Sequence, residues 1–150
     1  MRRRYTYSAV LSTAAATLIA VSASPAAAYE AATSCDVKIA GASVASPIQG
    51  RLIASWNWAS TEQLTSLHME AKDTYADGLH PAIRLVTKQR DGDTHNWSWH
   101  HNTKGAGTTG TLNTSATDSQ GIETVRIDGG LFDGDRLVGV CYGETLRNPD

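Results

Sequence analysis

Only two cysteines and one phenylalanine occur among the 150 residues, and each scarcity narrows the reading. Cys35 and Cys141 are too few and too distant for a zinc knuckle, whose ligands come in closely spaced pairs. A single Phe leaves the bulk of any core to other residues, chiefly the four tryptophans. Beyond residue 28 no segment approaches the roughly 20 apolar residues that span a bilayer. Repeats and coiled-coil heptads are missing, as are a Gly-x-Ser-x-Gly elbow and a Cys-His nucleophile arrangement. Nothing local demands an enzyme, a cofactor or a metal, so the chain is read as non-catalytic.

What is present begins with an export signal. Arg2, Arg3 and Arg4 form a positive start, residues 9–21 a small apolar run, and Ala26-Ala27-Ala28 a signal-peptidase site. Cleavage there makes Tyr29 the expected mature N-terminus of a secreted, extracellular protein of 122 residues, the size of one domain. The mature chain keeps 10 Lys and Arg against 15 Asp and Glu, a net charge of −5. An acidic balance argues against nucleic acid or an anionic membrane as partner. In an oxidising compartment the two cysteines read as one disulfide joining the first and last strands.

The pattern along the mature chain is that of strands. Residues 35–40 and 51–58 are rich in strand formers, and residues 65–72 alternate, with Leu67, Met69 and Ala71 on one face and His68, Glu70 and Lys72 on the other. Pro81 opens a strand in which Ile83 and Leu85 oppose Arg84 and Lys88. Asp91-Gly92 marks a hairpin turn into residues 94–101. Residues 122–128 and 136–142 complete the set, with a turn at Asp133-Gly134-Asp135. Seven or eight short strands at regular turn spacing predict a single antiparallel β-sandwich over residues 35–143. Residues 29–34 are expected as a free N-terminal segment and residues 144–150 as a loose polar tail.

Several side chains invite chemistry. The tryptophans fall in two i, i+2 pairs, Trp56 with Trp58 and Trp97 with Trp99, and on a strand each pair projects from one face. Each pair is either core filling or an aromatic platform for a sugar ring or a partner. His95, His100 and His101 flank the second pair, which makes that hairpin the favoured surface. His95 and His101 would stand roughly 20 Å apart at about 3.3 Å per residue, so they do not chelate; His68 and His80 have no assigned neighbour. Asp73, Asp77, Asp91, Asp93, Asp133 and Asp135 raise calcium, but neither Asp-Gly-Asp supplies the series of a calcium loop, and turn chemistry accounts for both.

One constellation points to a family. Asp73-Thr74-Tyr75-Ala76-Asp77-Gly78, an Ala-x-x-Leu strand at Ala82 to Leu85, Trp99-His100, Gly105-Ala106-Gly107 and a C-terminal strand with the second Cys follow one another in this order. Together they span most of residues 35–142, and the chain resembles small secreted actinobacterial β proteins, in particular the small adaptor subunits of Streptomyces umbrella toxin particles. The resemblance implies a non-catalytic adaptor in an antibacterial particle used in competition. Its partners would be a long repeat-containing subunit and a lectin-like subunit. It further implies that the N-terminal segment docks by strand addition, with Tyr29, Glu30, Ala31, Ala32, Thr33 and Ser34 as the donor. Trp97 and Trp99 would supply a second partner surface. The competing expectation is a secreted lectin or glycosidase whose Trp faces stack on sugars.

Overall fold

The computed structural model describes residues 29–150; the expected export signal, residues 1–28, lies outside them. The described residues form ten strands and no helix: β1 Tyr29–Val37, β2 Gly50–Trp58, β3 Gln63–Asp73, β4 His80–Lys88, β5 Thr94–Asn96, β6 His100–His101, β7 Thr109–Thr117, β8 Thr124–Asp133, β9 Arg136–Tyr142 and β10 Leu146–Arg147. All pairings are antiparallel. The first sheet has the order β1-β2-β3-β7. The second runs β10-β8-β4-β5, with β9 beside β8 and β6 beside β4. Because β5 and β6 lie end to end along β4, and β9 and β10 along β8, the ten strands make eight passes. That is the sandwich expected from the turn spacing.

Alternation builds the interior. Along β2 every second residue is buried from Gly50 to Trp58, so Leu52, Ala54, Trp56 and Trp58 all point between the sheets. They meet Val125, Ile127 and Leu131 of β8 and Ile83 and Leu85 of β4. Trp56 and Trp58 are core residues, packed edge to face at 5.9 Å between centroids, and supply the bulk that the missing phenylalanines do not. In β3 the buried positions are Leu64, then Leu67, Met69 and Ala71. A register shift between Leu64 and Leu67, with Ser66 in the left-handed region at φ 50°, inserts one residue and keeps both leucines inward.

Both flanks of the sandwich are tied. On one, Cys35 of β1 and Cys141 of β9 are bonded, with Cα atoms 5.9 Å apart. Gly129 leaves room for this bridge, since a Cβ there would stand 2.5 Å from the Cys141 sulfur. On the other flank Asn102 is buried. Its Nδ2 donates to the carbonyls of Ala71 and Thr108 in the first sheet's corner, at 3.0 Å each, and its own N–H donates to Pro81 O of β4.

Two boundary expectations are corrected. Residues 29–34 are not a free end: they are the first two thirds of β1, in register with β2 from Tyr29 opposite Trp58 to Ser34 opposite Ile53. Ala31 and Thr33 are buried there, because an unpaired β2 edge would expose the two core tryptophans. Residues 144–150 are not loose either. They carry β10, and Asn148 is held by its Nδ2 on Ser60 O and Ile122 O and by its N–H on Glu123 O.

The disulfide closes a loop with a sequence separation of 106. In the chain-entropy model its loss removes about 4 to 5 kcal/mol. Urea unfolding of the oxidised protein and of a Cys35→Ser, Cys141→Ser double variant is expected to differ by that order; equal midpoints would contradict it.

Candidate functional site

The outer face of the second sheet is where the sequence's chemistry collects. Residues of β4, β8 and β9 stand in rows there, set by register: Arg84 opposite Asp128 opposite Tyr142, and His80 opposite Phe132 opposite Leu137. Asp128 is buried and accepts from both neighbouring arginines, Arg84 Nη2 at 2.8 Å and Arg126 Nε at 2.9 Å. Each guanidinium also lies over an aromatic ring: Arg84 is 4.6 Å from the centre of Trp99 and Arg126 5.1 Å from that of Tyr142. A ladder of ring, cation, anion, cation and ring thus crosses the sheet, in which Asp128 meets two guanidinium groups and each guanidinium has an aromatic face.

Small residues make the floor beneath Trp99. A Cβ on Gly130 would stand 3.1 Å from the Trp99 ring and 2.6 Å from Phe132, so only glycine admits both rings. Phe132 meets Trp99 edge to face at 5.4 Å, stacks with His80 at 5.8 Å and takes His101 at 4.6 Å. His80 Nε2 and His101 Nδ1 are 3.1 Å apart, one donating and the other accepting. Burial first, then the neighbouring His80 and His100, pushes the His101 pKa down, with Asp135 opposing. Beyond these rings the face stays apolar: Leu137, Val140 and Tyr142 are 45, 46 and 60% exposed. A shallow depression of about 480 Å³ continues from Leu137 and Val140 to Ile39.

The second tryptophan pair does not share a face. Between Asn96, opposite Val86, and His100, opposite Ile83, the chain has three residues where β4 has two. The extra residue turns Trp97 inward and Trp99 outward. Trp97 packs on the core, donates Nε1 to Thr87 Oγ1 at 3.2 Å and stacks on His95 at 4.5 Å. No single-sequence signal marked the bulge, and none placed His80 beside His101, which are 21 residues apart.

Three aspartates are buried: Asp73, Asp118 and Asp128. Asp118 accepts from Gln89 Nε2 at 3.0 and 2.9 Å, from the Gln120 N–H at 3.1 Å and pairs with His95 Nδ1 at 3.2 Å. Burial alone would raise its carboxyl; these hydrogen bonds outweigh burial and hold it below the ordinary aspartate value. Asp77 and Asp91 are turn residues, each accepting an N–H two positions on, as the turn reading requires. Among the described residues no three His, Cys, Asp or Glu side chains are grouped to hold a metal ion. No described helix is long and apolar enough to cross a membrane.

Of the residues expected to bind partners, Tyr29, Glu30, Ala32 and Ser34 are exposed on β1, an edge strand of the first sheet, and Ala31 and Thr33 are buried. Trp99 is half-buried on the outer face of the other sheet. β1 and Trp99 therefore form two separate surfaces. Compared with protein-family models, curated proteins and solved structures, the chain finds no match in any of the three.

Two outcomes check the electrostatics. Because the folded pKa of Asp118 is depressed, its stabilisation is complete above the unfolded value and lost as pH falls through the folded one. Asp118→Asn should therefore flatten the acid limb of the stability profile while leaving its alkaline side in shape; an unchanged acid limb contradicts the assignment. Asp128→Ala strands two arginines and should lower stability by about 2 to 3 kcal/mol in urea, less than for a fully buried pair because the arginines are partly exposed.

Proposed function

We propose that this protein is a secreted, non-catalytic adaptor that joins other secreted subunits, a lectin-like one and a long repeat-containing one, in a multiprotein antibacterial particle. The observation that carries a binding role is the outer face of the second sheet. An outward sheet face is ordinarily polar, yet here Leu137, Val140 and Tyr142 are exposed beside Trp99 and Phe132. Tryptophan, tyrosine and arginine are the residues on which protein interfaces concentrate their binding energy. The guanidinium contacts of Arg84 with Trp99 and Arg126 with Tyr142 restrain those rings before a partner arrives, which lowers the ordering cost of association.

The N-terminal strand enters this reading in altered form. With one side of β1 on β2, strand addition would use the outer edge of an already folded strand and not a detached arm. Deleting residues 29–34 is therefore a poor test, since it removes buried Ala31 and Thr33. The sugar-platform alternative loses ground on geometry. Trp56 and Trp58 are buried and Trp97 is packed between His95 and the core, which leaves Trp99 as the one tryptophan on the outer face and removes both i, i+2 pairs on which that reading rested.

Isolation of the native protein from culture fluid should yield a stoichiometric complex with much larger secreted chains. A paired Leu137→Asp, Val140→Asp variant, altered only at exposed positions, should retain its near-ultraviolet circular dichroism and lose at least tenfold in complex formation. A free monomer that binds a glycan array overturns the proposal.

A further inference from the structure

At the end of the sandwich next to His80, the loop after β3 and the loop before β7 face each other across a pocket of about 160 Å³. Asp73, Tyr75, Leu79 and His80 line it from one side, Thr103 and Ala106 from the other. The pocket is thus built from the two sequence stretches singled out above, Asp73–Gly78 and Gly105–Gly107, which are separate in the chain. Backbone hydrogen bonds lock them together: the Asp73 N–H donates to Thr108 O at 3.0 Å and the Gly107 N–H to Asp73 O at 2.9 Å.

The carboxyl at this position is the odd one among the buried aspartates. Asp128 holds two guanidinium groups and Asp118 three different donor residues. Asp73 is only 2% exposed, yet among the described residues its carboxyl accepts a single hydrogen bond, from the Tyr75 N–H to Oδ1 at 3.2 Å. Oδ2 has no donor among the described residues, and the residue lines the pocket, so a ligand there would meet an acceptor that the fold leaves open. Burial raises its pKa, and Asp77 adds to the rise while the Tyr75 N–H and His80 oppose it. The turn itself needs only the Oδ1 bond, which an asparagine would make equally well.

We infer that this pocket is a receptor for an alkylammonium group, the tip of a lysine side chain presented by a binding partner. The ammonium would lie on the Asp73 carboxylate, the alkyl stem against Leu79 and Ala106, and the Tyr75 ring, 47% exposed, would flank the charge. Size selects the same occupant: the pocket is smaller than the roughly 300 Å³ at which small-molecule sites usually begin, so it takes one side chain and not a whole ligand. The ligand supplies the charge partner that Asp128 finds within the fold. None of Leu137, Val140 and Tyr142 lines this pocket, so the inference does not depend on that patch.

The test uses the purified protein with its disulfide intact, followed by amide chemical shifts. Nα-acetyl-lysine amide should shift Tyr75, Gly78, Gly105 and Ala106 saturably, and the uncharged norleucine analogue should not. Asp73→Asn should abolish the response while unfolding no more easily than the wild type at neutral pH. Tyr75→Ala should weaken it about twofold to fivefold, the worth of an exposed cation–π contact. Equal shifts with norleucine, shifts with methyl glucoside alone, no saturation, or undiminished binding by Asp73→Asn each overturn the inference. Should Asp73→Asn fail to fold, the norleucine control and Tyr75→Ala decide. Since the readout is on the isolated protein, its failure would leave the adaptor reading standing, and a failure to form complexes would leave the pocket standing.

Discussion

Two layers of strands with open flanks stay registered only if their edges are tied, and two of the ties in this protein rest on short residues. Cys35 bonds Cys141 across one flank, and Asn102 bridges Ala71 and Pro81 across the other. The rest follows from this closure. With the edges held, β2 can turn two tryptophans into the interior, and β4 and β8 can be buried along most of their length. A core of modest apolar content is then enough. The buried amide of Asn102 is tolerable because its Nδ2 meets the carbonyls of Ala71 and Thr108, a donor that an apolar residue there would not supply.

The outer face of the second sheet shows what happens when charge is placed on a surface that must also be apolar. The arginines at 84 and 126 do not point into solvent; they lie along the sheet between an aspartate and an aromatic ring. Their stems cover apolar surface while the heads remain paired. The result is a flat, restrained patch in which Leu137, Val140 and Tyr142 are the exposed apolar members. Satisfaction of charge inside the protein is the common theme, and Asp73 is the place where it is incomplete.

The all-β class, the two glycine turns and the cysteine pairing were all legible in the chain. Alternation at Leu67, Met69 and Ala71 is a local property, and so is the positive φ that Gly92 and Gly134 supply. The inward side of Trp56 and Trp58 was one of two open readings, and the buried pattern of β2 decided it. The site was less legible. Alternation put Trp97 and Trp99 together, but a bulge of one residue reversed the second relative to the first, and nothing in residues 94–101 records it. Residues 29–34 read as a free segment because they precede the first cysteine and needed no partner in the expected sandwich. They are strand because β2 needs a neighbour on that side.

Residue order alone therefore determined what depends on neighbours a few positions away, strand periodicity and turn chemistry, together with the presence of just two cysteines in the chain. Tertiary structure decided what depends on pairing between distant strands. It set Arg84 opposite Asp128 and His80 beside His101, and it brought the Asp73 loop against the Gly105 loop. Register has a period of two residues, so a single inserted position moves a side chain to the other face. That shift is fixed by contacts with partners far along the chain, which is why the candidate surfaces could not be drawn from the sequence by itself.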